Sequence, residues 1–180
     1  MAASILREMS EIAVGARPGA AVHHGLLRLG ADIFPCALGR SGITSCKREG
    51  DGATPRGCFR LLEVLYRADR LRRPRTRLPC RAIRPADGWC DAPGDRNYNR
   101  PVPLPYAASH ERLWRDDGLY DLLVVLDCNI RPRVHGAGSA IFLHVARPGL
   151  APTEGCVALP RPRLERLLER LGPGSALMIG

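Results

Sequence analysis

Lysine is nearly missing from this 180-residue sequence: of 27 basic residues only Lys47 is not arginine, so guanidinium groups carry almost all of the positive charge behind a formal net +9. Such a balance fits either a polyanionic partner or an arginine-biased codon usage. Aromatic residues make up only 5%, and the arginines are scattered, so nothing alternates base-stacking rings with cations as single-strand binders do; no nucleic-acid partner is expected. Long apolar runs are also lacking. None approaches the ~20 residues of a membrane-crossing helix. Glu8 and Glu11 interrupt the N-terminal apolar residues before a signal-peptide core can build up, which points to the cytoplasm. Residues 1–21 therefore read as a lead-in, a short amphipathic turn or disordered chain. The seven cysteines, an odd number, show no CxxC or CxxxxC spacing, which argues against a zinc cage or a redox dithiol. No metal or cofactor is expected, and most of the thiols read as small buried hydrophobes.

What is present reads as one mainly β domain over residues 22–180. Nineteen glycines and sixteen prolines punctuate short apolar runs, a spacing that favours strands over helices. Strands are predicted at Gly25–Leu29, Ile33–Leu38, Cys58–Tyr66, Leu119–Asp127, Ser139–Ala146 and Ser175–Ile179. The run Tyr120–Asp127 is apolar at consecutive positions, as in a strand covered on both faces. One helix is predicted at about 160–171, where Leu164, Leu167, Leu168 and Leu171 make a single apolar stripe; Pro160 and Pro162 suit its first turn, and Gly172-Pro173 ends it. The polar, Pro- and Arg-rich stretch 67–115 is too long for an idle connection. It holds both tryptophans and also Tyr98, Tyr106 and His110, and reads as an inserted lid or wall, or in its first half as a surface excursion.

The chemistry-bearing segment is Gly138–Leu159. In a strand, Ala140, Phe142 and His144 share one face and Ile141, Leu143 and Val145 the other. His144 then stands at the strand's end, before a loop that returns through Thr153-Glu154-Gly155-Cys156. A cysteine nucleophile attacks as the thiolate and needs a proton acceptor or a positive neighbour. The twelve-residue return can bring an imidazole beside a thiol, and the N–H groups of Gly155 and Cys156 could converge on an oxyanion. A thiolate–imidazolium pair of this kind would react at mildly acidic pH. A buried cysteine and a strand-end histidine of purely structural role would produce the same pattern. Arg147, just past His144, suits a carboxylate holder. Glu154 suits an incoming ammonium, and Thr153, Ser139 and Tyr98 complete the expected cleft. His23, His24 and His135 read as surface residues, as does His110 unless the insertion brings it to a ligand.

Two segments together resemble the L,D-transpeptidase catalytic (YkuD-like) domain. That family carries a His, a variable loop and then Ser/Thr-His-Gly-Cys, matched here by His144 and Thr153-Glu154-Gly155-Cys156. Thr54-Pro55-Arg-Gly57-Cys-Phe59 resembles its upstream Thr-Pro-x-Gly-x-Phe segment. This chain departs from the pattern at Glu154, which replaces the second His, and at Ala158, which replaces the usual Asn; it resembles a divergent branch. The resemblance implies a β-sandwich-like domain in which Cys156 is the nucleophile and His144 its base, oriented by a backbone carbonyl. Cys156 would form a thioester with a peptidoglycan stem peptide, expel a terminal D-alanine and pass the acyl group to an amine of a second stem. It also implies a periplasmic or cell-envelope location, against the missing export signal. Two other readings stay open: resolution of the thioester by water, which would make an L,D-carboxypeptidase or related cysteine peptidase, and a non-catalytic basic module that binds wall glycan.

Overall fold

The computed structural model describes residues 11–180. Fourteen strands and one α-helix follow in order: β1 (Glu11–Ala16), β2 (His24–Leu29), β3 (Asp32–Ala37), β4 (Ile43–Thr44), β5 (Thr54–Pro55), β6 (Gly57–Tyr66), β7 (Cys80–Ala82), β8 (Asp87–Cys90), β9 (Arg100–Pro103), β10 (His110–Arg112), β11 (Leu122–Leu126), β12 (Phe142–Val145), β13 (Val157–Leu159), α1 (Arg161–Leu168) and β14 (Ala176–Ile179). All six strands predicted from the sequence are present within a few residues of their expected bounds. Nine strands form one sheet in the order β11-β12-β13-β3-β2-β1-β14-β6-β7. Because β11 also pairs with β6, that sheet closes on itself. The expected sandwich-like domain is thus built from one continuous sheet.

Strand β1 corrects the expected 1–21 lead-in, of which residues 1–10 lie outside the described part. Glu11–Ala16 is a paired strand, parallel to β14 and antiparallel to β2. Its apolar residues Ile12 and Val14 are buried in the main core. Five consecutive small or apolar residues, 12–16, carry no clear alternation, so even with Pro18-Gly19 after them they give little local indication of a strand; the two long-range partners impose it.

The sheet has two buried faces, which explains the unbroken apolar run at β11. Leu122, Val124 and Leu126 enter the core inside the closed sheet, together with Leu143, Val157, Leu159 and the α1 leucines. Leu123 and Val125 point the other way, into a second core with Leu65, Phe142 and Cys156. The second core is completed by the 67–115 stretch, where β10, β8 and β9 form a separate three-stranded sheet. Its Trp89 meets the Phe142 ring edge-on at 5.2 Å, and Ile83 and Leu113 pack beside it. The inserted sheet therefore covers the outer face of β11 and β12, next to the end of β12 that carries His144. Burying side chains of this size at ~1.5–3 kcal/mol each makes the insertion part of the fold.

Helix α1 begins as the sequence predicts, with prolines in its first turn and Leu164, Leu167 and Leu168 buried; Leu171, one turn further on, is buried too. Asp32, at the start of β3, receives both Arg166 and Arg170, the latter at 2.6 Å. The helix thus stays fixed against the sheet immediately after the strand that follows Cys156.

Candidate active site

Strands β12 and β13 run parallel in adjacent positions, with Leu143 opposite Val157 and His144 opposite Ala158. This register sets Cys156, just before β13, beside Phe142 at the start of β12, two residues before His144 on the same face of the sheet. His144 and Cys156 consequently line one cleft of about 120 Å³, with Glu111, Arg115, Tyr120, Arg147, Thr153 and Glu154. Both reactive side chains are nearly enclosed, with 5% of His144 and 8% of Cys156 exposed.

The histidine is oriented by its own neighbour. Its Nδ1 lies 2.8 Å from the Val145 carbonyl oxygen. A carbonyl only accepts, so Nδ1 holds the proton and Nε2 keeps its lone pair. The Tyr120 ring packs edge-on to the imidazole at 5.3 Å. Burial, with smaller contributions from the positive charges of Arg115 and Arg147, lowers the His144 pKa to about 4 against the Val145 hydrogen bond.

The thiol lies in the cleft floor. Cys156 Sγ–H donates to the Ala140 carbonyl and Sγ accepts the Phe142 N–H, each at 3.3 Å. Burial, with the nearby Glu111 carboxylate as a smaller contribution, raises its pKa to about 12. Thus both partners rest neutral, which corrects the expected thiolate–imidazolium pair: an enclosed site with no cation bonded to the sulfur disfavours both charges. The thiol proton faces Ala140, and none of the hydrogen bonds among the described residues joins Sγ to His144. A rotation about the Cys156 side chain must precede proton transfer; contacts of this kind commonly tighten only when substrate binds.

The loop that presents Cys156 is built from both sequence segments. Thr153 Oγ1 donates to the Cys156 carbonyl at 2.7 Å and accepts the Gly155 N–H at 3.2 Å. Thr54, fully buried, accepts the Gly39 N–H at 2.8 Å and reaches the same Cys156 carbonyl at 3.5 Å. Gly155 has φ +137°, and a Cβ there would stand 2.8 Å from the Ala53 carbonyl and 3.4 Å from Lys47 Nζ. Only glycine lets the chain pass between these groups. The upstream Thr54-Pro55 segment therefore lies directly beneath the loop that carries Cys156.

Other expected site residues separate into two groups. Arg147 lines the cleft and is exposed at its rim. Glu154 lines it too, but its carboxylate is exposed and paired with Arg40. Thr153 supports the loop through the bonds above. The Gly155 N–H is already engaged by Thr153, unlike the free oxyanion donor expected. Ser139 and Tyr98 do not line the cleft: both hydroxyls donate to Glu49, Ser139 at 2.8 Å. They are buried groups holding the 45–52 loop, and burial raises the Tyr98 pKa. His110 bonds the Ala108 carbonyl and meets Tyr106 edge-on, again away from the cleft.

Sequence reasoning missed three residues. Tyr120 closes the cleft against His144, and its hydroxyl donates to Glu111 Oε2 at 2.6 Å. Glu111, from β10, brings a carboxylate into the cleft; burial raises its pKa. Asn99 is a buried hub whose side-chain oxygen accepts Trp89 Nε1–H and Ala140 N–H, while its amide donates to the Cys128 and Asn129 carbonyls. It thereby holds Ala140, the residue whose carbonyl receives the thiol proton. Its φ of +53° is one asparagine tolerates better than most residues. No motif marks these three, and in a stretch already rich in polar residues neither Glu111 nor Asn99 stands out.

Among the described residues no cluster of three or more metal-binding side chains occurs, and no helix is long and apolar enough to cross a membrane. A family model described as the L,D-transpeptidase catalytic domain (YkuD) matches residues 26–179. Comparisons with curated proteins and with solved structures return no match.

Proposed function

The chain belongs to the L,D-transpeptidase catalytic domain family, and we propose on that footing that it forms peptidoglycan cross-links through a thioester on Cys156. The observation that carries this reading is a buried thiol and an imidazole lining one cleft, the imidazole's Nδ1 held by Val145 so that Nε2 keeps the lone pair a base needs.

A donor stem peptide enters with its scissile carbonyl over Sγ. His144 Nε2 takes the thiol proton as sulfur attacks, and the Cys156 N–H is the donor assigned to the oxyanion, since the Gly155 N–H is engaged. Collapse of the tetrahedral intermediate expels D-alanine, whose amine receives the proton from the imidazolium. The thioester then acylates an amine of a second stem, forming an amide and restoring the thiol. Generating the thiolate only during attack fits a pair that rests neutral. Arg147 at the rim holds a stem carboxylate. A substrate of this class places the protein in the cell envelope.

Incubating the protein with defined muropeptides and reading the products by mass tests the proposal. Cross-linked dimers with release of D-alanine are expected. Trimmed monomers alone would instead identify a hydrolase that passes the same thioester to water. Salt-sensitive binding to wall polymer that survives Cys156→Ala, with no product, would identify a binding module.

A further inference from the structure

Glu111 stands in the cleft with no cation bonded to it. One carboxylate oxygen accepts the Tyr120 hydroxyl at 2.6 Å, and among the described residues no ion pair includes Glu111. Arg115 lines the same cleft, yet its guanidinium is held by Asp117. The other acid of the cleft, Glu154, is exposed and taken by Arg40. Cys156 and His144 both rest neutral beside Glu111. A carboxylate beside a nucleophile makes its ionisation harder, so Glu111 hinders the thiol in the empty site. Enclosed charges are retained where a ligand supplies the counter-charge.

Resting on the thioester reading above, we infer that Glu111, presented by the inserted sheet, binds the ammonium group of the acceptor stem and takes the proton that frees its amine. An acceptor amine enters as R–NH3+ and cannot attack until it loses a proton. Glu111 in its carboxylate form takes one. The nitrogen then attacks the thioester, the C–N bond forms and the C–S bond breaks, and the second departing proton returns to Cys156 sulfur through His144. The amide nitrogen keeps the third, and Glu111 releases its own to solvent. Tyr120 positions the carboxylate and also packs against the base, so acceptor site and base are held by one side chain.

The role expected for Glu154 in sequence thus falls to Glu111. Groups facing Glu111 set its affinity for a cation: Tyr120 and Arg115 favour the carboxylate, while burial and the charges of Asp91 and Glu49 oppose it. An arriving ammonium shifts that balance toward the charged form.

The test uses the full chain, first acylated by a donor stem peptide, with Cys156 occupancy read by intact mass. The acyl-enzyme is then divided between two nucleophiles: a stem-peptide amine, charged near neutral pH, and hydroxylamine, which is largely uncharged there. Each rate is normalised to the acylated fraction. Glu111→Gln keeps the acceptor for the Tyr120 hydroxyl but removes the base. The amine-to-hydroxylamine ratio is expected to fall about tenfold or more, within the reach of ~10²–10⁴-fold general-base assistance, and Glu111→Asp to restore part of it. An unchanged ratio, or equal loss with both nucleophiles, overturns the Glu111 assignment while leaving the thioester intact. No Cys156 adduct in the wild type overturns the thioester reading and this assignment with it.

Discussion

A buried thiol and a buried imidazole in contact with one cleft reach opposite conclusions about charge from the same cause. Enclosure raises the thiol pKa to about 12 and lowers the imidazole pKa to about 4. In the resting protein Cys156 should therefore alkylate slowly, after the exposed Cys46 and Cys58, and show no acid-side reactivity. Peptide-resolved labelling against pH checks this; fast labelling of Cys156 near pH 6 would restore the ion pair that the residue types suggested. His144→Ala should cut turnover by ~10²–10⁴-fold with less effect on donor binding, measured as separate kcat and KM values. The sequence brought Cys156, His144, Thr153 and Arg147 together, and they line one cleft, because their spacing is local to one strand–loop–strand unit. It placed Ser139 and Tyr98 there wrongly: both are polar and near the segment in sequence or in expected location, but their partner is Glu49. Glu111 and Tyr120 were illegible, since their meeting depends on how the inserted sheet docks.

At the scale of elements, the loop that carries Cys156 depends on a segment about a hundred residues upstream. Thr54→Val should leave the Gly39 N–H without its acceptor in a buried position and destabilise the fold by about 1–3 kcal/mol, read as a lower denaturant midpoint with unchanged slope. Gly155→Ala meets both an unfavourable φ and a carbonyl 2.8 Å from the new Cβ, so the loop must shift; activity should fall more than thermal stability, in a paired assay of both. Six strands of the closed sheet and the helix were legible because each carries its own periodicity and punctuation, whereas β7 and β13, three residues each, are too short to show any. Strand β1 was not, because its short run of small residues gains meaning only between β2 and β14. The insertion showed its length and its tryptophans in sequence, yet its role as the second cover of β11 and β12 needed the packing of Trp89 on Phe142.

Over the whole molecule, the two-faced sheet buries His144 at a cost that depends on pH. Its folded pKa, about 4, lies below the ordinary 6.5, so the unfolded chain binds a proton between those values and the folded chain does not. The neutral imidazole's contribution is complete above pH 6.5 and is lost as pH falls toward 4, by roughly 3 kcal/mol across the window. Denaturant unfolding from pH 4 to 7 should show this slope, and His144→Gln should flatten it; equal slopes would place His144 in water. Both the closed sheet and the inserted sheet serve to hold one enclosed thiol beside one neutral base, and the account's central claim is that this thiol carries the acyl group. Intact-mass analysis after incubation with a stem tetrapeptide donor tests it most directly. The account predicts a single adduct equal to the donor less D-alanine, mapped to the peptide containing Cys156 and absent from Cys156→Ala, with Cys128→Ala still acylated. An adduct on another cysteine, or D-alanine release that survives Cys156→Ala, would contradict it.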